Sequence, residues 1–224
     1  MSGASREIAL AHAAAGWRAG ILRVLRGADD LSPPGAEPLV LKVGGSLLSR
    51  PDWPMLLASL IAARGHKACC LVVGGGAVVD GLRSLDHTLP QSPQLMHDLA
   101  IDAMRLTARL VAVAVDVSMV AEPPDDGVAV LDVPAWLAVG SRATALPVGW
   151  RVTSDAIAAT VAVEWGSRLL LAKSVPPPPC PDDADLLSSL GRAGWVDEHF
   201  PVAARPLATI EWAAPTRLPV GASL

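Results

Sequence analysis

Two short apolar segments run straight into clusters of glycine: Leu39-Val40-Leu41-Lys42-Val43 into Gly44-Gly45-Ser46, and Ala68 to Val73 into Gly74-Gly75-Gly76. Such runs, bounded by glycine, predict strands buried on both faces, and strands of that kind belong to parallel sheets covered by helices. Lys42 is the exception within its run, because a charge on a buried strand is costly without a partner. Three consecutive glycines are poor for stability, since they lose the most backbone freedom on folding. They make sense where a ligand lies directly against the main chain and a following helix turns its N-terminus toward it. A third apolar run, Arg168 to Lys173, also ends on a lysine.

The segments between these runs read as helices. Apolar periodicity predicts helices over 51–64, 77–84, about 94–115 and 133–139, with two further strands at 117–120 and 128–131 across an acidic, proline-containing turn. Trp150-Arg151-Val152-Thr153-Ser154-Asp155 enters another helix, ending near Glu164, with hydroxyls and a carboxylate at its N-cap. Strands alternating with helices place the chain in the α/β class, as a three-layer αβα sandwich around a mostly parallel central sheet. Residues 1–38 read separately, as helical periodicity from Ser5 to Arg26 and a Gly/Pro-rich connector. The expected organisation is therefore an N-terminal helical extension and linker over 1–38 and one domain over 39–224. Pro176 to Pro179 reads as a rigid loop.

Composition narrows the functions open to the chain. A content of 51% hydrophobic and 18% charged residues supports a sizeable core. Net charge is −4 with no cluster of Lys and Arg, so a nucleic-acid partner is not expected. No apolar run approaches the roughly twenty residues of a membrane span, and the N-terminus lacks a secretory signal pattern, so a cytoplasmic location is expected. Cys69, Cys70 and Cys180 form no CxxC spacing, and the adjacent pair reads as small buried hydrophobes. Lys42, Lys67 and Lys173 are the lysines among 18 basic residues. Where a chain otherwise chooses Arg, a lysine ending a strand points to a need for a compact ammonium.

Three junctions carry residue types that handle phosphate, and ligands of open α/β sheets bind beyond the carboxyl ends of strands. At the first, Gly44 and Gly45 let the backbone approach an anion, Ser46 adds a hydroxyl and Lys42 a charge; the alternative is a tight turn beside a surface lysine. The spacing is not that of a P-loop. The second is Gly74-Gly75-Gly76 with the helix behind it. At the third, a helix cap explains one of Thr153, Ser154 and Asp155 but not all three, and Asp155 reads as an organiser of lysines.

In this order the three junctions resemble the amino acid kinase superfamily, which includes acetylglutamate kinase, uridylate kinase and aspartokinase. The resemblance covers Leu39 to about Ser174 and implies a kinase of that fold using ATP and Mg²⁺, and a homo-oligomer. It implies that Lys42 stabilises the transferring phosphoryl group and Asp155 orients the lysines. Gly44, Gly45, Ser46, Thr153 and Ser154 would face the nucleotide, and Gly74, Gly75 and Gly76 the acceptor. Met96 to Met104, Trp150 to Asp155 and Val196 to Pro201 further resemble the (aminomethyl)furanmethyl phosphate kinases of methanofuran biosynthesis and their bacterial relatives in one-carbon metabolism. That narrower resemblance implies a small phosphorylated acceptor bearing an ammonium group. Asp80 would meet the ammonium, Arg83 the phosphate, and His97 would sit nearby; the residues alone favour a structural histidine and a solvated arginine.

Two departures stand out. Lys173 occupies a place where this superfamily has an Asp in a TDVDG-like stretch, and Ala156 follows Asp155 where Ser is usual. No lysine follows Lys173, so Lys173 is expected to replace the superfamily's second catalytic lysine. A non-catalytic binding or regulatory subunit on the same fold is the alternative from another class, and a carboxylate or nucleotide kinase the alternative within it.

Overall fold

The structure, a computed structural model, describes residues 17–22, 37–63, 67–176 and 186–215. Seven strands form one sheet: β1 (Trp17–Leu22), β2 (Leu39–Val43), β3 (Ala68–Val73), β4 (Ser118–Val120), β5 (Gly127–Leu131), β6 (Arg168–Ala172) and β7 (Ile210–Pro215), in the order β1-β7-β6-β2-β3-β5-β4. The six strands from β7 to β4 are mutually parallel, and β1 runs antiparallel to β7 along one edge. The helices are α1 (Trp53–Ala63), α2 (Gly76–Thr88), α3 (Pro93–Ala114), α4 (Val133–Leu137), α5 (Arg142–Ala145), α6 (Ser154–Trp165), α7 (Leu186–Arg192) and α8 (Phe200–Ala203), with a 3₁₀ turn at Gly45–Ser49.

The expected three-layer α/β sandwich is present, and its alternation follows from strand geometry. Leu39, Leu41 and Val43 of β2, with Cys69, Leu71 and Val73 of β3, pack on one face under α1 and the C-terminal half of α3. Val40, Cys70 and Val72 point to the other face, under α4, α6, α7 and α8. Lys42 shares the Val40 face because side chains alternate, and so faces α6. Burial pushes the Cys69 thiol up to about 12, as suits a residue acting as a small hydrophobe.

Small residues set how closely α6 approaches the sheet. Its Ala156, Ala158, Ala159 and Ala162 are all buried, as are Ile157 and Val161, so the helix is wrapped on nearly every side. Thr153 caps its start, and Gly166, at φ 64°, closes its end in the left-handed conformation.

Two expectations are corrected. Within the helix expected from Ser5 to Arg26, residues 17–22 form strand β1; residues 5–16 and 23–26 lie outside the described residues, as do Cys180 and most of the Pro176–Pro179 loop. The edge of β7 offers unpaired main-chain groups, and pairing with them overrides a weak local helical pattern. Strand β7 itself was not expected, because Glu211 interrupts its apolar run; Arg168 on neighbouring β6 donates to that carboxylate at 2.8 Å. Strands β4 and β5 appear where expected and pair in parallel. Helix α2 runs four residues beyond the expected end at Ser84.

Leu71 is 0% exposed and Leu106 on α3 is 57% exposed. In urea melts, Leu71→Ala should cost about 2–5 kcal/mol, whereas Leu106→Ala should stay within about 0.5 kcal/mol of wild type.

Candidate active site

Strands β2 and β6 are neighbours in register, Lys42 beside Leu171 and Val43 beside Ala172. The residue after Ala172 is Lys173, so both lysines emerge at the same end of the sheet and on the face covered by α6. The first turn of α6 lowers Asp155 between them. Lys42 Nζ lies 2.8 Å from Asp155 Oδ1 and Lys173 Nζ 2.6 Å from Oδ2. Lys173 also donates to the Trp195 carbonyl at 3.1 Å and sits over the Trp212 ring, 5.6 Å from its centroid. The Lys42 contact is an ion pair rather than a well-angled hydrogen bond.

Lys42 and Asp155 are each 4% exposed. Burial alone would raise the Asp155 carboxyl; the charges of Lys42 and Lys173 and the Lys173 hydrogen bond outweigh it and hold it below the usual carboxylate range. Burial pushes the Lys173 ammonium down to about 8, the like charge of Lys42 adding to the effect and Asp155 opposing it.

The two glycine turns meet beside this cluster. A Cβ on Gly45 would fall on the backbone of Gly76, and one on Gly76 would lie 2.8 Å from the Gly45 carbonyl oxygen. Gly76 also has φ +53°, a conformation glycine adopts freely. The 3₁₀ turn and α2 both begin without a side-chain cap, whereas Ser92 and Thr153 cap α3 and α6. Uncapped helix starts leave main-chain N–H groups free for an anion. Two amides of the expected set are already spent: Gly44 N–H donates to Ala172 O at 2.8 Å and Gly74 N–H to Val43 O at 2.9 Å. Ser46 is joined to Ser174 through their hydroxyls at 2.8 Å.

A cavity of about 250 Å³ opens on these turns. Gly74, Gly75, Gly76, Asp80, Arg83 and His97, all expected at the acceptor, line it together with Gly45, Ser46, Thr153 and Ser154. Lys42, Asp155 and Lys173 do not line it; a Cβ on Gly44 would lie 3.7 Å from Lys42 Nζ. Arg83 bonds Asp80 at 2.9 Å and lies 5.1 Å from the centroid of the Trp150 ring, whose indole N–H donates to Asp86 at 2.8 Å. His97 Nδ1 accepts from the Gly149 N–H at 3.3 Å, which leaves Nε2 as the free nitrogen.

No protein-family model matches the chain, and no curated protein does. Among solved structures it is similar to uridylate kinase from Archaeoglobus fulgidus, at 20% identity and TM-score 0.55, over 80% of this chain and 91% of that one. It is similar to aspartate kinase from Synechocystis at 17% identity and TM-score 0.57, over 81% of this chain and 40% of that one. UMP kinase from Bacillus anthracis matches at 10% identity and TM-score 0.52, over 84% and 98% of the two chains. The fold is the amino acid kinase fold. These neighbours lend no support to the narrower resemblance to (aminomethyl)furanmethyl phosphate kinases.

Within the amino acid kinase fold of this chain, sequence reasoning missed three contributors. Trp150 entered only as part of a longer motif, although an indole beside a glycine before a helix cap could have flagged a cavity wall. Trp195 contributes a carbonyl, which no side-chain pattern reveals. Asp197 accepts from the Thr153 N–H at 3.0 Å and from its hydroxyl at 2.7 Å. Thr153, expected at the nucleotide, therefore commits its hydroxyl proton to Asp197.

Gly45→Ala should separate the two turns and cost about 1–3 kcal/mol in a thermal or urea melt. Gly81→Ala, on α2 with nothing within 4 Å of the new methyl, should stabilise by about 0.5–1 kcal/mol.

Proposed function

We propose that the chain is an ATP-dependent kinase that phosphorylates a small molecule already carrying an acidic group. The observation that carries this reading is the Lys42–Asp155–Lys173 cluster at the ends of two adjacent parallel strands, set against two uncapped glycine turns in backbone contact. Phosphoryl transfer needs little covalent help; it needs alignment and positive charge around spreading negative charge. Two ammoniums against one carboxylate leave the cluster with a surplus positive charge. Asp155 holds each lysine by a different oxygen, so their separation is set by one rigid group. Lys42, held by Asp155 through an ion pair, stabilises the transferring phosphoryl, and Lys173 supplies the second cation.

The acceptor this reading favours is a phosphomonoester with an ammonium group, of the aminomethylfuran-methyl phosphate kind. Its phosphate would take Arg83 and the amides at the start of α2, and its ammonium would take Asp80. The Arg83–Asp80 pair, with side chains 44% and 70% exposed, stands ready to exchange one internal partner for two external ones. His97 would stand at the same acceptor.

Among the described residues no three His, Cys, Asp or Glu side chains are grouped to hold a metal ion, and both oxygens of Asp155 face lysines. This donor set does not fit a Mg²⁺ held by protein ligands. The expected Mg²⁺ would be carried by the nucleotide's phosphate oxygens, hard ligands for a hard cation. A second reading, a binding subunit without turnover, is favoured by Lys173 replacing an acidic nucleotide contact and by the internal commitment of Gly44 and Thr153.

A coupled assay offering ATP with furan phosphates, UMP, acetylglutamate and aspartate tests the kinase reading. Turnover on one of them is expected; calorimetric binding of ATP without turnover on any acceptor would favour the subunit reading. Lys42→Met and Lys173→Met should each lower turnover about 10²–10³-fold.

The pH dependence has a definite sign. Lys173 loses its proton as pH rises through about 8, so turnover should decline above that pH. Between about 8 and the ordinary lysine value of about 10.4 the unfolded chain holds the proton and the folded chain does not, so the Lys173 contribution to stability rises with pH. Activity falling while urea midpoints hold or rise is the expected pair; a loss of activity that tracks unfolding would count against the assignment.

A further inference from the structure

We infer that Asp197 is a positioning residue for this site, fastening the first turn of α6 so that Asp155 meets Lys42 with one oxygen and Lys173 with the other. The inference rests on the kinase reading for its consequence, but its geometry stands by itself. Asp197 Oδ2 accepts from Thr153 N at 3.0 Å, Thr153 Oγ1 at 2.7 Å and Ala156 N at 2.9 Å. These donors flank Ser154 and Asp155 on both sides. Asp197 Oδ1 accepts from His199 N at 3.1 Å and Phe200 N at 2.8 Å, at the start of α8. One carboxylate therefore gathers five donors from two helix starts.

Helix capping alone does not require this. Thr153 already serves as the N-cap, its hydroxyl oxygen facing the Asp155 N–H at 3.5 Å, and one such residue suffices for a helix. A carboxylate laid over the cap immobilises the turn that carries Asp155. The same short segment holds the other arm, since the carbonyl of Trp195 receives Lys173. Val196 and Phe200 on either side of Asp197 are buried in the core, which makes the segment a fixed support. Lys173, gripped by Asp155 and Trp195, and Lys42, gripped by Asp155, are thus registered to one another through residues 195–200. A displacement of about 1 Å at such a site can cost about 10²-fold in rate.

Asp197→Asn keeps the size and one acceptor oxygen while turning an amide toward main-chain donors. Its turnover should fall about 10²-fold with KM for ATP within a few fold of wild type. The deciding readout needs no turnover. With three lysines in the chain, competitive amine labelling followed by mass spectrometry titrates Lys173 in the unliganded protein. The charged groups facing Lys173 are Asp155 and Lys42, with the Trp212 ring and Trp195 carbonyl as its other neighbours. Loosening Asp155 removes attraction and leaves the repulsion of Lys42, so the Lys173 midpoint should move below its wild-type value.

A cooperatively folded Asp197→Asn protein whose Lys173 midpoint is unmoved or raised overturns the inference. If that variant does not fold, Thr153→Val, which removes the hydroxyl that donates to Asp197 and faces the Asp155 N–H, should give the same downward shift at smaller size, and an unmoved midpoint there overturns it equally. A shifted midpoint in a protein that phosphorylates none of the acceptors would sink the kinase reading and leave the positioning role intact.

Discussion

A buried carboxylate between two ammoniums is the interaction on which the rest of this structure depends. Each of the three charges would be costly in the interior alone, and removing one from such a set is worth several kcal/mol of destabilisation because it strands the others. The cluster therefore demands that β2, β6 and α6 end at the same place. Parallel neighbours in register deliver the two lysines, and the period-2 alternation of strands turns both toward α6. A helix rich in alanine on its buried sides can come close enough to lower Asp155 between them. Close approach, not a large apolar contact, is what this helix contributes.

Glycine plays the matching role at the neighbouring turns. Gly45 and Gly76 touch through their main chains, an approach that any side chain would prevent, and the two helical segments behind them begin without caps. Ser92, Asp132 and Thr153 cap α3, α4 and α6, so the two glycine-led starts at the cavity differ from these three. The N-terminal ends of those segments, the Lys42–Asp155–Lys173 cluster and the Arg83–Asp80 pair on α2 are the charged features at this rim of the sheet.

The solved structures that share this fold do so at 10–20% identity, too distant to transfer a substrate. What separates this chain from the resemblance its motifs carry is the strand end at Lys173. A cation there, held by Asp155, Trp195 and the Trp212 ring, places a second positive charge in the cluster from a neighbouring strand. Its depressed proton affinity follows from burial beside another lysine, and ties the charge of the site to pH in the mildly alkaline range.

Much of the sheet could be read along the chain because its strands are buried on both faces and stopped by glycine: Leu39–Val43, Ala68–Val73 and Arg168–Ala172 stand within a residue of their expected limits. Lys42, Asp155, the glycine turns and Lys173 could be singled out because each is a residue type that a buried junction would otherwise avoid. The edge was not legible, since β1 exists by pairing with β7, β7 by pairing with β1 and β6, and β7 hides Glu211 whose partner lies on another strand. Nor were Trp195 and Asp197, one acting through its carbonyl and the other through five donors scattered from Thr153 to Phe200. Local sequence determined which central segments are strands, where glycine interrupts them and which charges must find partners, because those follow from periodicity and the cost of burial. Only the tertiary structure decided who the partners are, because hydrogen bonds and ion pairs between distant segments are set by register and helix placement that no local pattern encodes.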